Sequence, residues 1–251
     1  MESLTINKTV VFLNCKNVIK KVKTNPTIHS AFVFSIIILI ITVCTYAQIN
    51  FSRPYSIFKN TISDQGSLLL NPRGQKVWNL GIICAGILFL PHVLYLSQIM
   101  CVGTPIASQI LLITGSISSI TFSFVGIFPA EFKIPHCIFA GITFVGICLV
   151  ANIYFFLNLK KLRDINGGSI LNINFSQNYK LEMIFAGLVH LFLDIALIIF
   201  LIQFINQGKL MPISEWAYLL GVMLWMITTT RSSPITIQNK NKSEILNNLQ
   251  L

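Results

Sequence analysis

Six apolar runs, approximately Ile28–Ile49, Trp78–Ile99, Pro105–Pro129, Ile138–Leu159, Ile184–Ile205 and Ser214–Thr230, alternate with segments that hold nearly all the ionisable residues of this 251-residue chain. A helix needs about 20 apolar residues to cross roughly 30 Å of hydrocarbon. Lipid offers the backbone no hydrogen-bond partner, so each run must satisfy its own amides as a helix. The pattern predicts an all-α, polytopic bundle of six transmembrane helices. Only 10% of the residues are charged, against about 25% in an ordinary soluble domain, too few to clothe a water-soluble globule of this size.

The bundle occupies residues 28–230 and takes up nearly the whole chain. A basic N-terminal tail (1–27) and a C-terminal tail (231–251) flank it, and no connection exceeds about 25 residues, too short to bury a second core. The first run ends in Tyr46-Ala47-Gln48-Ile49-Asn50 with no small-x-small cleavage site, so it reads as a retained helix rather than a signal peptide. With the N-terminus inside, twelve of the eighteen Lys and Arg residues fall on the cytoplasmic side and six on the other. That asymmetry predicts cytoplasmic termini. The net charge of +10 sits beside apolar runs and accompanies no nucleic-acid motif, so membrane lipids are the expected partners and nucleic acid is not. The protein belongs in a cell membrane if prokaryotic, and in an endomembrane or plasma membrane if eukaryotic.

Six scattered cysteines, with no Cys-x-x-Cys pair, suggest small buried side chains rather than a disulfide framework or structural zinc. Short connections make neighbouring helices antiparallel. The longer Asn50–Val77 stretch, with its Asn71-Pro72-Arg73-Gly74 turn signal, is expected to lie along the outer membrane surface. The Lys160–Lys180 stretch, with Gly167-Gly168, reads as a cytoplasmic loop. Gly81 with Ala85, and Ala140 with Gly141, offer close helix approach, while the hydroxyl-rich third run should face other helices. Trp78 and Trp216 fall at the outer boundary, where amphipathic aromatics are expected.

Eight acids are few enough for position to matter. Asp64, Glu131 and Glu215 fall one to each outer connection, with Ser63 beside Asp64 and His136 starting the fourth helix. This grouping could bind a headgroup or cation, or act as general acid and base. The bland alternative is solvated loop residues. No tight spacing such as His-x-x-x-His favours a metal, and no motif calls for a cofactor. A second group is intramembrane: His190 and Asp194, at i and i+4, share a helix face. A charge at the bilayer centre costs about 3 kcal/mol on insertion scales, so Asp194 needs a partner, and His190 is nearest in sequence. His92, after Pro91, should lie at a similar depth.

The segment Ile62-Ser63-Asp64-Gln65-Gly66, followed by Trp78-Asn79, resembles the "ISD-x-G" entry of the damage-regulated autophagy modulator, FRAG and SFK-like family and a related group of prokaryotic six-helix proteins. Gly126-Ile127-Phe128-Pro129-Ala130-Glu131, then His136, Ala140 and Phe144, is similar to their "G-x-FP…H-x-x-x-A-x-x-x-F" segment. Glu215 is similar to an acidic residue in the prokaryotic group, though Trp216 follows it where they tend to have a basic residue. The resemblance, over about residues 30–230, implies a six-helix bundle with cytoplasmic termini. It also implies that Ser63, Asp64, Gly66, Glu131, His136 and Glu215 belong together, with roles around membrane lipid organisation, GPI-anchor lipid maturation and autophagy. No catalytic mechanism comes with it.

Three activities fit these residues. The leading one is a protein that binds or organises lipid through the outer polar group. The second is a membrane-embedded lipid hydrolase or transferase, with His136 as base and Asp64 or Glu131 as orienter or metal ligand. The third is a proton-coupled transporter using Asp194 and His190.

Overall fold

The computed structural model describes residues 26–101, 104–165 and 177–231. The expected N-terminal tail up to residue 25, the glycine- and asparagine-bearing segment 166–176 and the C-terminal tail from residue 232 lie outside the described residues. Six helices make up the bundle: α1 Pro26–Ile49, α2 Gln75–Cys101, α3 Pro105–Ile127, α4 Lys133–Ile165, α5 Gln177–Ile205 and α6 Met211–Arg231. All six are long and apolar enough to cross a membrane, and among the described residues there is no strand. The protein is an integral, multi-pass membrane protein. Helices α4 and α5 run further toward each other than the apolar runs indicated, shortening the Lys160–Lys180 connection.

Local chemistry sets several boundaries. Pro105 begins α3, where a missing N–H and a fixed φ cost nothing. The same helix stops at Phe128, which precedes Pro129 and has left the helical region (φ −110°, ψ 87°). Gln207, at φ 48°, turns the chain between α5 and α6.

Consecutive helices pack together and α1 closes on α6, so the six form a ring. Inside it, Val33, Ile36, Phe89, Leu96, Leu111, Leu193 and Trp225 are buried. Outside, Ile38, Ile113, Leu188 and Ile198 are each more than half exposed, the apolar-all-round pattern of helices that face lipid. The α2–α3 seam is the closest. Ser119 Oγ donates to Gly86 O at 2.6 Å and Ser123 Oγ to Ile83 O at 3.1 Å, and a Cβ on Gly86 would collide with Ser123. Gly81 sits against Val43 of α1, but Gly141 has open space around it and mediates no close approach.

The stretch between α1 and α2 is part buried, at Gln65, Ser67 and Asn71, and part exposed, at Phe58, Leu68 and Leu69. It folds into one end of the ring, called the loop end below, around a 3-10 turn at Ser63–Gly66. Gln65 and Asn71 are fully buried there. Trp78, expected at the membrane boundary, is buried beneath this cap at 2% exposure.

Candidate functional site

The cap is held by side chains that replace the backbone partners an irregular segment lacks. Asn71 Nδ2 donates to Ala47 O, near the end of α1, at 3.1 Å and to Gln65 O at 2.8 Å, while its Oδ1 accepts from Gly74 N at 3.0 Å. The carbonyl left open at a helix C-terminus is thereby closed. Asn79 Nδ2, from the first turns of α2, donates to Gly66 O at 3.1 Å and Gln75 Oε1 at 3.0 Å. Tyr55 OH donates to Thr61 O at 2.9 Å and accepts from Trp216 Nε1 at 3.1 Å. Burial holds this phenol well above its ordinary pKa, so it stays a donor.

The three carboxylates of this end each clamp a different piece of the cap. Glu215, in the first turns of α6 and 4% exposed, accepts from Ser63 Oγ at 2.8 Å and from Ile62 N at 2.7 Å. Asp64 Oδ2 accepts from Thr61 N at 2.9 Å, and Thr61 Oγ1 accepts in return from Asp64 N at 3.1 Å. Glu131 Oε1, in the α3–α4 connection, accepts from Ser67 Oγ at 2.6 Å and Leu69 N at 3.1 Å. His136 Nδ1–H donates to Phe128 O at 2.7 Å, which sets its tautomer. The grouping therefore brings Ser63 to Glu215. It sends Glu131 to Ser67 and Leu69, and turns His136 back on its own connection. Among the described residues, no three His, Cys, Asp or Glu side chains come together as a metal site.

Beneath the Ser63–Glu215 pair runs a narrow cavity of about 60 Å3. Its walls come from α1, α2, α3, α4 and α6, including Ile40, Phe89, Phe122, Ala140, Val222 and Met226. On α6 the lining residues Glu215, Tyr218, Leu219, Val222 and Met226 form one stripe, extending roughly 16 Å at 1.5 Å per residue. So small a volume, room for about four waters, is a narrow slot that admits a few methylenes. The hydroxyls of Thr143 and Tyr218 in its walls are bonded to Thr121 Oγ1 and Phe144 O, and Ser63, Glu215 and the Trp78 indole supply polar groups at its loop end. Asp64, Glu131 and His136 do not line it.

The intramembrane residues pair differently from the sequence expectation. His190 and Asp194 both reach α4 instead of each other. Asp194 Oδ1 accepts from Asn152 Nδ2 at 2.8 Å and from Cys148 Sγ at 3.0 Å. The two nitrogens of His190 face Ala186 O at 2.8 Å and Ala151 O at 3.0 Å, and Phe155 stacks on its ring at 4.4 Å. Neither residue lines the slot. His92 meets His29 of α1 instead, Nδ1 to Nε2 at 2.8 Å, with Tyr95 stacked on His29 at 3.8 Å. His29 carried no sequence signal, being a lone histidine at the edge of a basic tail.

The Glu131 clamp has a defined pH response. Burial alone would raise this carboxyl, but hydrogen bonds from Ser67 and the Leu69 amide outweigh it and hold the pKa below the ordinary carboxylate value. A group depressed on folding adds stability above its unfolded pKa and loses it as pH falls through the folded one. The melting-temperature difference between wild type and Glu131→Gln in micelles is therefore expected to be largest near neutral pH. It shrinks only on acidification below the ordinary carboxylate range. A difference independent of pH down to that range and beyond would remove the ionised clamp.

In comparisons with known proteins, no family model matches the chain, and no curated protein or solved structure shows significant similarity to it.

Proposed function

We propose that this membrane protein binds lipid, holding a few methylenes of one alkyl chain in the slot with the polar end of the molecule at the Ser63–Glu215 cap. The observation that carries this reading is the slot itself, largely apolar along its α6 stripe with Ser63 and Glu215 at the loop end. The arrangement suits an amphiphile, because apolar lining supplies affinity and a few placed polar groups supply orientation. The basic-residue asymmetry supports cytoplasmic termini, with the loop end on the opposite face. The resemblance through residues 62–66 points the same way, toward lipid organisation.

Hydrolysis or transfer of a lipid is the second reading. The hydrogen bond from Ser63 Oγ to Glu215 favours it, as a hydroxyl held by a carboxylate at the end of an apolar slot. Proton-coupled transport draws less support, since Asp194 and His190 are bonded to α4 away from the slot.

Filling the slot from two of its walls tests the leading reading. Burial contributes about 0.8 kcal/mol per methylene, so excluding two methylenes costs roughly tenfold in affinity. Val222→Phe on α6 and Ala140→Leu on α4 are each expected to lower the lipid retained by purified protein by at least about that factor, with melting temperature as the control for folding. Unchanged lipid retention in both folded variants would sink the proposal. Cleaved lipid in the wild-type samples, lost in Ser63→Ala, would establish the second reading instead.

A further inference from the structure

At the loop end, charge is sorted by depth. Asp64, Glu131 and Glu215 point into the cap, where their partners are neutral N–H and O–H donors. The basic residues of the same end, Arg53, Lys59, Arg73, Lys76, Lys133 and Lys209, are all exposed. The surface that meets the headgroup region is therefore cationic, although the local sequence holds both signs.

Two of these lysines, Lys59 and Lys209, line an open groove of about 760 Å3 between the cap, the start of α4 and the α5–α6 turn. Its other walls are largely apolar, with Phe58, Phe204, Ile205 and Met211 among them. Phe204 and Ile205 end one membrane span and Met211 begins the next, which sets the groove at the depth where acyl chains give way to headgroups. Among the described residues no carboxylate lines it. Ammonium groups over exposed apolar side chains at that depth suit an amphiphile with a negative head. A zwitterionic lipid also offers a phosphate, but its own ammonium opposes the two lysines, so a head of net negative charge is the better match.

We infer that this groove is a binding site for an anionic phospholipid, its phosphate between Lys59 and Lys209 and its acyl chains against Phe204, Ile205 and Met211. The site is separate from the slot. Residues Phe58, Lys59 and Thr61 face the groove, whereas Ile62 and Ser63 line the slot, so one short segment divides the two. The inference stands without the slot reading.

Cys137 lies in the groove and is exposed, which provides a native reporter. The full-length protein is placed in nanodiscs of phosphatidylcholine alone or in equal mixture with phosphatidylglycerol. Retained lipids are counted by native mass spectrometry, and modification of Cys137 by a water-soluble maleimide is followed by peptide mass. Phosphatidylglycerol is expected to be retained about tenfold over phosphatidylcholine and to slow Cys137 modification by a similar factor. Lys59→Glu with Lys209→Glu abolishes both effects, and Lys59→Arg with Lys209→Arg preserves them. Arg73→Glu with Lys76→Glu, the same charge change at the same end outside the groove, leaves Cys137 protected. Val222→Phe, which fills the slot, leaves the anionic preference intact and so separates the two sites. The inference is overturned if the Lys59/Lys209 reversal keeps the preference to within about twofold. Equal loss in the Arg73/Lys76 control also overturns it, in favour of a diffuse surface field.

Discussion

Gly66→Ala is expected to destabilise the protein by about 1–3 kcal/mol, the range for an added carbon in a packed interior. A Cβ at this position would sit 2.5 Å from Asn79 Oδ1 and 2.6 Å from two ring carbons of Trp78. Neither neighbour is free to retreat. Trp78 is buried among Ala47, Ile82 and Val125, and the Asn79 amide is held by Gly66 O and Gln75 Oε1. The demand is for space rather than for backbone freedom, since the φ of Gly66 lies outside the left-handed region. Gly141→Ala supplies the matched control. Nothing approaches a Cβ there, and alanine is the better residue inside a helix by about 0.5–1 kcal/mol. Thermal melting in micelles should thus move in opposite directions for the same chemical change. Equal shifts for the two variants would show that the Trp78–Asn79 contact does not limit the site.

The reason Gly66 matters was invisible in its neighbourhood of sequence, and this holds for the whole cap. The spans were legible because a bilayer imposes one local rule, about 20 apolar residues in a row, that needs no knowledge of neighbours. The cap obeys no such rule. Ser63 meets Glu215 across 152 residues and Ser67 meets Glu131 across 64, so nothing periodic within residues 50–74 announces its partners. The mixture of apolar and polar residues there fitted a surface segment equally well, and only the ring of helices decides which side chains have room inside. Asp194 illustrates a related limit. Its need for a partner follows from its depth in the membrane, but whether His190, Asn152 or Cys148 supplies it depends on how α4 is rotated, and sequence spacing reports on one helix at a time. Ser63 and Gly66, two residues of the short motif, lie where the chain turns inward over Trp78. The motif did not say that the acids clamp a cap, nor that an apolar slot lies beneath it.

Glu215 provides the sharper test of that clamp, because its two variants separate charge from hydrogen bonding. Its carboxylate accepts from two donors of different kinds, the fixed amide of Ile62 and the rotatable hydroxyl of Ser63. A glutamine keeps one carbonyl oxygen for the Ile62 amide. Its NH2 group then faces Ser63 Oγ, which can turn its proton away and accept. Glu215→Gln is therefore expected to cost about 1 kcal/mol or less. Glu215→Ala has no such remedy: it leaves the Ile62 amide without its partner and opens a hole above the slot, for a loss of about 2–4 kcal/mol. Combining Gln with Ser63→Ala removes the acceptor that rescued the NH2 group, so the double variant should lose more than the sum of the single losses. Chemical or thermal unfolding of wild type, Glu215→Gln, Glu215→Ala, Ser63→Ala and the double variant in one detergent measures each term. If glutamine proves as damaging as alanine, the ionised carboxylate is required and hydrogen bonding alone does not account for the clamp. If every variant matches wild type, the cap is held by Asn71, Asn79 and Glu131 without it, and the polar end of the slot is free to serve a ligand.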